Sequence, residues 1–139
     1  MVKIFLCSHG HMASGMASSI EILTGNKDAL TVFDAYIPGE NDTVAKHIDD
    51  FFASCEEEDT KLLLSDMVGG SVCQETMKYM DRKNTFVISG VNLSLLLELV
   101  GGGASSYSRE ELENIVEMSR SMTKVIELEN VAVNSGDFF

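Results

Sequence analysis

Two histidines near the N-terminus are the side chains in this sequence best suited to nucleophilic chemistry at neutral pH. His9 follows an apolar run and a serine, and His11 stands two residues further along the chain. A neutral imidazole is a nucleophile, and its ordinary pKa keeps it largely unprotonated at neutral pH. We take His9 as the leading candidate and His11, which is closer to the start of the next helix, as its main rival.

A second polar cluster follows the third apolar segment and consists of Asp66 and the turn Gly69, Gly70 and Ser71. A carboxylate that accepts one ring N–H of a histidine fixes the tautomer and leaves the other nitrogen with its lone pair free. Glycines let backbone amides approach an anion closely, and the start of a helix favours negative charge. If the two apolar segments are neighbouring strands, Asp66 would orient the ring of His9 and the turn would bind a phosphoryl group carried by it.

Each of these features also has an ordinary structural explanation. A histidine after a strand commonly belongs to a loop, an aspartate there is often a turn former, and a Gly-Gly pair is a common turn. Metal binding by His9, His11 and Asp66 is another alternative, but the His-Gly-His pattern is weak evidence for it. The third histidine, His47, is predicted to lie on the solvated side of a helix. The functional hypothesis therefore depends on the separate pieces meeting at one edge of the fold.

The hydrophobic pattern predicts the elements that would bring these pieces together. Buried β-rich runs predict strands over Val2–Cys7, Ala29–Ala35, Lys61–Ser65 and Thr85–Ser89, and a fifth over Lys124–Leu128. Helical spacing and cap signals predict helices over Met12–Thr24, along Val44–Cys55, from the Gly69-Gly70-Ser71 segment to about Met80, over Asn92–Val100, and after a capping box at Ser108–Glu111. The third helix is predicted to bury Cys73, Met77 and Met80, and the last one Leu112, Ile115, Val116 and Met122. This alternation predicts an α/β fold with a mainly parallel, doubly wound sheet in three layers.

Length, composition and charge limit the function. The 139 residues, 45% of them hydrophobic and 23% charged, predict one globular domain over 1–139, with a weakly structured tail over 129–139. The net charge of −12 argues against binding to nucleic acid or to an anionic membrane surface, and it favours a basic partner.

The cysteines and the hydropathy predict a cytoplasmic location. Cys7, Cys55 and Cys73 are odd in number, lie far apart in apolar stretches and have no metal-binding spacing, so we expect buried thiols in a reducing compartment. The N-terminus has no signal-peptide pattern, and no apolar run reaches the length of a membrane span.

Four segments, in order along the chain, carry a pattern of known proteins. They are the strand and Ser-His-Gly of Ile4–Gly15, the strand exit of Phe33–Asn41, the Asp-x-x-Gly-Gly-Ser of Leu64–Ser71, and the Ile-x-Gly-Val-Asn of Ile88–Leu93. Together they resemble the mannose-family enzyme IIA proteins of the bacterial phosphoenolpyruvate-dependent sugar phosphotransferase system. The similarity runs from residue 1 to about residue 128.

This resemblance implies a phosphotransferase component that relays a phosphoryl group and needs no cofactor or metal. His9 would accept the group from phospho-HPr and pass it to a histidine of a separate enzyme IIB protein. Asp66 would hydrogen-bond the ring of His9, and Ser71 would lie near the phosphate. Contact with the membrane would be indirect, through the IIC and IID permease components, which together with IIB would determine the sugar.

The resemblance also implies a parallel four-stranded sheet with flanking helices. A C-terminal fifth strand, here Lys124–Leu128, would pair antiparallel with the partner subunit of a homodimer. Two positions depart from the family: Met67 stands where threonine is frequent, and Val72 stands where proline is common. Both lie beside the candidate site and bear on the transfer rate.

Other functions stay open at this point. A phosphatase or mutase could use His9 as a transient nucleophile. A regulatory module is another possibility, because Asp66 at a strand end is similar to receiver domains, although Ser8 and His9 replace their acidic pair. A phosphocarrier linked to dihydroxyacetone kinase would share the fold, but its first motif usually reads Ser-His-Ser, so the glycine here favours sugar transport.

Overall fold

The computed structural model describes residues 1–128, which form one parallel sheet of four strands between two layers of helices. The elements are β1 (Val2–His9), α1 (Met12–Thr24), β2 (Thr31–Ala35), α2 (Val44–Ala53), β3 (Thr60–Ser65), α3 (Ser71–Met77), β4 (Thr85–Ser89), α4 (Leu93–Gly101) and α5 (Arg109–Arg120). The strand order is β2-β1-β3-β4, and every neighbouring pair is parallel. The predicted three-layer α/β fold is confirmed. Within residues 1–128, no helix is both long and apolar enough to cross a lipid bilayer.

The two central strands are apolar along their middle residues because both of their faces are covered. In β1, Ile4 and Leu6 belong to the core under α1, α4 and α5, whereas Phe5 and Cys7 belong to the core under α2 and α3. All six residues of β3 are buried. Strands buried on both faces read as continuous hydrophobic runs, and this is the pattern from which they were predicted.

Local signals set the ends of several helices. Ser108 Oγ accepts the Glu111 N–H at 3.2 Å and the Glu111 carboxylate accepts the Ser108 N–H at 3.1 Å, which confirms the predicted capping box of α5. At α1 the cap residue makes no side-chain cap bond; instead, the Ala13 N–H donates to the Ser8 hydroxyl at 2.7 Å. Ser8 thereby links the end of β1 to the first turn of α1.

The third helix is shorter than predicted, and this changes which side chains are buried. Cys73 is buried as expected, but Met77 and Met80 are each 50% exposed, so their predicted burial is wrong. The helix ends at Met77, and Tyr79 then fills the core between α2 and α3 and stacks on Phe52. Because the aromatic ring occupies that space, the methionines lie outside it.

The C-terminal predictions have mixed outcomes. Met122 lies beyond the end of α5 and is 57% exposed, so its predicted burial is also wrong. Lys124–Leu128 forms no strand in this single chain, and Val125 and Ile126 are strongly exposed. An exchanged antiparallel strand would require a partner subunit, so it stays a prediction. The predicted tail over 129–139 lies outside the described residues.

Candidate functional site

The carboxyl ends of the first three strands meet at the point where the strand order reverses. β2 lies on one side of β1 and β3 on the other, so the chain changes direction across the sheet at β1. His9 is the last residue of β1, Asp66 follows β3, and Tyr36 follows β2. Such a switch point is where open α/β sheets bind their ligands.

Asp66 holds His9 by two hydrogen bonds to a single carboxylate oxygen. The backbone N–H of His9 donates to Oδ2 at 2.9 Å, and ring atom Nδ1 lies 2.7 Å from the same oxygen. The Met67 N–H donates to Oδ1 at 3.1 Å, so both carboxylate oxygens are engaged. An ionised carboxylate only accepts hydrogen bonds, so we assign the ring proton to Nδ1. Nε2 then carries the free lone pair, on a side chain that is 44% exposed.

Asp66 is negatively charged, as a carboxylate that accepts the ring N–H of His9 must be. Burial by itself would raise the pKa of the Asp66 carboxyl, but the hydrogen bonds from the His9 backbone and ring outweigh burial and hold this pKa below its ordinary value. Asp66 is therefore ionised at neutral pH. A fixed negative charge at Nδ1 stabilises the positive charge that a histidine ring gains when Nε2 forms a new bond.

The turn after Asp66 lies against the other side of the ring. Ser71 Oγ is 3.4 Å from His9 Nε2, and a Cβ atom at Gly70 would stand 3.5 Å from ring atom Cε1 and 2.9 Å from Met67 Cγ. Gly69 has a φ of +78°, which favours glycine. The close approach at Gly70 and the backbone of Gly69 explain the glycine pair, which brings Ser71 to the ring.

The second histidine pairs with a different carboxylate. Nδ1 of His11 lies 2.9 Å from Asp34 Oδ2, and Asp34 also accepts the hydroxyl of Ser14 at 2.6 Å and its N–H at 3.0 Å. Burial opposes ionisation of Asp34, but the Ser14 and His11 hydrogen bonds outweigh it and lower the pKa of the carboxyl. His9 and His11 thus pair with different carboxylates. This argues against the alternative in which His9, His11 and Asp66 would bind one metal ion.

The two histidine–carboxylate pairs differ in what surrounds them. In the first turn of α1, the amides of Ala13 and Ser14 are already bonded to Ser8 and Asp34. His11 has a side chain that is 75% exposed. Of these two histidines, and among residues 1–128, His9 alone has a glycine turn and a hydroxyl beside its free ring nitrogen, so the geometry distinguishes it from His11.

Tyr36 is a site residue that the sequence analysis did not identify. Its hydroxyl lies 3.0 Å from Ser71 Oγ, and its ring centroid lies 5.2 Å from that of His9. The sequence signal that could have identified Tyr36 is its position directly after a predicted strand. That position becomes informative only once β2 is known to neighbour β1.

His47 and the cysteines lie outside this cluster. His47 is 30% exposed and its ring centroid lies 3.8 Å from that of Phe33, so it occupies the predicted solvated side only in part. Cys7 and Cys73 are buried as predicted, whereas Cys55 is partly exposed. Burial raises the pKa of the Cys7 thiol to about 12, which makes it inert at neutral pH.

Comparison with known proteins places the chain among phosphotransferase components. The family model described as "PTS system fructose IIA component" matches residues 3–116. The mannose/sorbose-specific IIA subunit of the phosphotransferase system from Enterococcus faecalis is similar in structure, with a TM-score of 0.72 and 25% identity over 91% of this chain and 95% of that chain.

Two further solved structures share the fold. The phosphotransferase system component EIIA from Streptococcus agalactiae has a TM-score of 0.75 and 22% identity over 94% of this chain and 99% of that chain. The IIA protein associated with the fucose utilization operon of Streptococcus pneumoniae has a TM-score of 0.70 and 22% identity over 93% and 94%. No curated protein matches the sequence.

Proposed function

Because this chain belongs to the PTS fructose IIA component family, we propose that it carries a phosphoryl group on Nε2 of His9 between phospho-HPr and a separate enzyme IIB protein. The observation that carries the proposal is the 2.7 Å contact between His9 Nδ1 and Asp66 Oδ2. This contact leaves Nε2 as the nucleophilic nitrogen of the ring, on a 44% exposed side chain at the carboxyl end of β1 where a partner protein can reach it.

The transfer requires no cofactor. The Nε2 lone pair of His9 attacks phosphorus and forms the new P–N bond, while the bond to the donor breaks and its electron pair returns to the donor. The proton on Nδ1 stays in place, so the phosphorylated ring carries a positive charge that the carboxylate of Asp66 stabilises. Transfer to enzyme IIB reverses these steps, and the two proteins contribute mainly positioning and electrostatics.

The phosphoryl oxygens need local hydrogen-bond donors, because the protein as a whole has a charge of −12. The turn of Gly69, Gly70 and Ser71 lies next to Nε2, and its Gly70 N–H already donates to the Met67 carbonyl at 3.3 Å. The donors that we propose are therefore the Ser71 hydroxyl, 3.4 Å from Nε2, and the other backbone amides of the turn. In this proposal Asp66 orients the ring, and the turn binds the phosphoryl group.

We extend the proposal to the assembly. Val125, Ile126 and Leu128 are 85%, 71% and 93% exposed in the single chain, and β4 is an edge strand of the sheet. Exposed apolar side chains and a strand at the edge of the sheet formed by residues 1–128 suit antiparallel strand exchange between two copies in a homodimer. Such a dimer would work in the cytoplasm and reach the membrane only through the IIB, IIC and IID components. Which sugar is transported is a property of those components.

A labelling experiment tests the proposal. Incubation with phosphoenolpyruvate, the upstream kinase and HPr should label the wild type and His11→Ala, but not His9→Ala. The label should be acid-labile and base-stable, as a phosphohistidine is, whereas an aspartyl phosphate would be base-labile. Label that survives in His9→Ala and disappears in His11→Ala would show that His11, rather than His9, is the phosphoryl acceptor. Turnover of a small phosphate ester by the protein alone would instead indicate a phosphatase or mutase.

A further inference from the structure

Tyr36 adopts a backbone conformation that its side-chain type rarely tolerates. Its φ is +63°, in the left-handed region, where bulky residues are uncommon and glycine, asparagine or aspartate are usual. The side chain is 61% exposed, so burial in the core does not explain the conformation. Its side chain contacts His9 and Ser71. A strained residue held against a functional group suggests a role at that group.

The hydroxyls beside His9 form a chain with a defined direction. The Nδ1 proton of His9 is bonded to Asp66, so Nε2 can only accept. The Ser71 hydroxyl, 3.4 Å away, is the group that donates toward Nε2, and its oxygen can then accept the Tyr36 hydroxyl at 3.0 Å. In the unphosphorylated protein the order of donation is therefore Tyr36 to Ser71 to His9.

Phosphorylation must break this chain. Once Nε2 is bonded to phosphorus it has no lone pair, and the Ser71 hydroxyl loses its acceptor. The phosphoryl group brings three strong acceptor oxygens to the same place. Hydroxyl hydrogens rotate freely, so both side chains can turn their protons toward these oxygens without movement of the backbone.

We propose that Tyr36 is a phosphoryl-binding residue whose hydroxyl, together with that of Ser71, donates to the oxygens of the group on His9 Nε2. The inference rests on the proposed function of His9, and it adds to the site a residue that follows β2 and contacts both His9 and Ser71. The left-handed backbone at Tyr36 is then the conformation that aims the phenol at the phosphoryl group.

The test uses phosphoramidate, a small phosphoryl donor, so that loading of His9 does not depend on HPr. Wild type, Tyr36→Phe, Ser71→Ala and the double variant are phosphorylated, and the pKa and hydrolysis half-life of the phosphohistidine are followed by ³¹P NMR. Tyr107→Phe is the matched control, because the Tyr107 hydroxyl donates to a backbone carbonyl within the core under α4 and α5.

A donated hydrogen bond favours the more negative form of the phosphoryl group, so its loss in Tyr36→Phe should raise the phosphoryl pKa by roughly half a unit. The rate of loading should fall by about tenfold, as expected for a hydrogen bond to a charged group. Both effects should persist in the Ser71→Ala background, because Tyr36 contacts the phosphoryl group directly. Tyr107→Phe should match the wild type in both measurements.

Three results would overturn the inference. An unchanged ³¹P titration in Tyr36→Phe would show that the Tyr36 hydroxyl makes no hydrogen bond to the phosphoryl group. An effect that vanishes in the Ser71→Ala background would mean that Tyr36 acts only by orienting Ser71. A wild type that neither phosphoramidate nor phospho-HPr loads at His9 would overturn this inference and the proposed function together. A wild type that phosphoramidate loads but phospho-HPr does not would refute the proposed relay alone.

Discussion

One oxygen of Asp66 accepts both the backbone N–H of His9, at 2.9 Å, and ring atom Nδ1 of the same residue, at 2.7 Å. The carboxylate therefore determines where the end of β1 lies and how its terminal side chain is rotated. Since β1 and β3 are paired, the rigid sheet supports both partners. The imidazole is thus oriented before any substrate arrives, which lowers the entropic cost of reaction.

Asp66→Asn should slow phosphoryl transfer from phospho-HPr by about 100-fold, because the amide removes the charge that stabilises the phosphorylated ring and can present an N–H to Nδ1. Asp34→Asn is the matched control, since it alters the equivalent carboxylate beside His11. It should transfer within about twofold of the wild type at a temperature where both variants are folded. Single-turnover kinetics measure both, and wild-type rates in Asp66→Asn would contradict the assigned role.

Substitution by alanine should lower the free energy of unfolding by different amounts at Gly69 and at Gly70. Gly69→Ala places a side chain at a φ of +78° and should lower the free energy of unfolding by about 1 kcal/mol. At Gly70 the new Cβ would stand 2.9 Å from Met67 Cγ, but the Met67 side chain is exposed and can move, so Gly70→Ala should cost less. Urea denaturation compares the two, and a larger loss in Gly70→Ala would show that Met67 is held in place.

Tyr36→Asn should test how much the left-handed backbone at this position costs in stability. Asparagine tolerates the left-handed backbone better than tyrosine, so the free energy of unfolding should stay level or rise by up to about 1 kcal/mol. Tyr36→Phe keeps the strained backbone and serves as the reference variant. Thermal unfolding of both, followed by circular dichroism, measures the difference. If the asparagine variant is the less stable by more than about 1 kcal/mol, the packing of the ring on His9 outweighs the strain.

The contribution of Asp34 to stability should depend on pH. Its folded-state pKa lies below the ordinary value of 3.8, so its stabilisation is fully present above that value and is lost as the pH falls through the folded pKa. Asp34→Asn should cost about 1 to 2 kcal/mol at neutral pH, because the amide accepts weaker hydrogen bonds from Ser14 and His11. The difference between the two proteins should shrink below about pH 4. A difference that is constant down to pH 2 would contradict an ionised Asp34.

Substitutions in the exposed C-terminal segment should test the homodimer. Ile126→Lys should leave the fold of each chain intact, since this side chain is 71% exposed, but it should shift the protein toward monomer in analytical ultracentrifugation. Met122→Lys, at a site that is 57% exposed and precedes the predicted strand, is the control and should remain dimeric. A monomeric wild type would refute the homodimer.

The sequence by itself determined four strands, five helices and their order along the chain. The predicted bounds of Met12–Thr24 and Thr85–Ser89 match α1 and β4, and the capping box at Ser108 was predicted from residues three positions apart. These signals are local, because hydrophobic periodicity and helix caps depend on near neighbours in the chain. His9, Asp66 and the glycine turn were found in the same way, from residue types at the ends of predicted strands.

Only the tertiary structure decided how these parts meet. His9 and Asp66 are 57 residues apart, and their contact exists because β3 rather than β4 pairs with β1. Tyr36 joined the site only when β2 took the other side of β1, and His11 was separated from Asp66 by its pairing with Asp34. Strand order depends on the packing of both helical layers at once, and no local pattern contains it. The sequence therefore predicted which residues could act, and the fold decided which of them lie together.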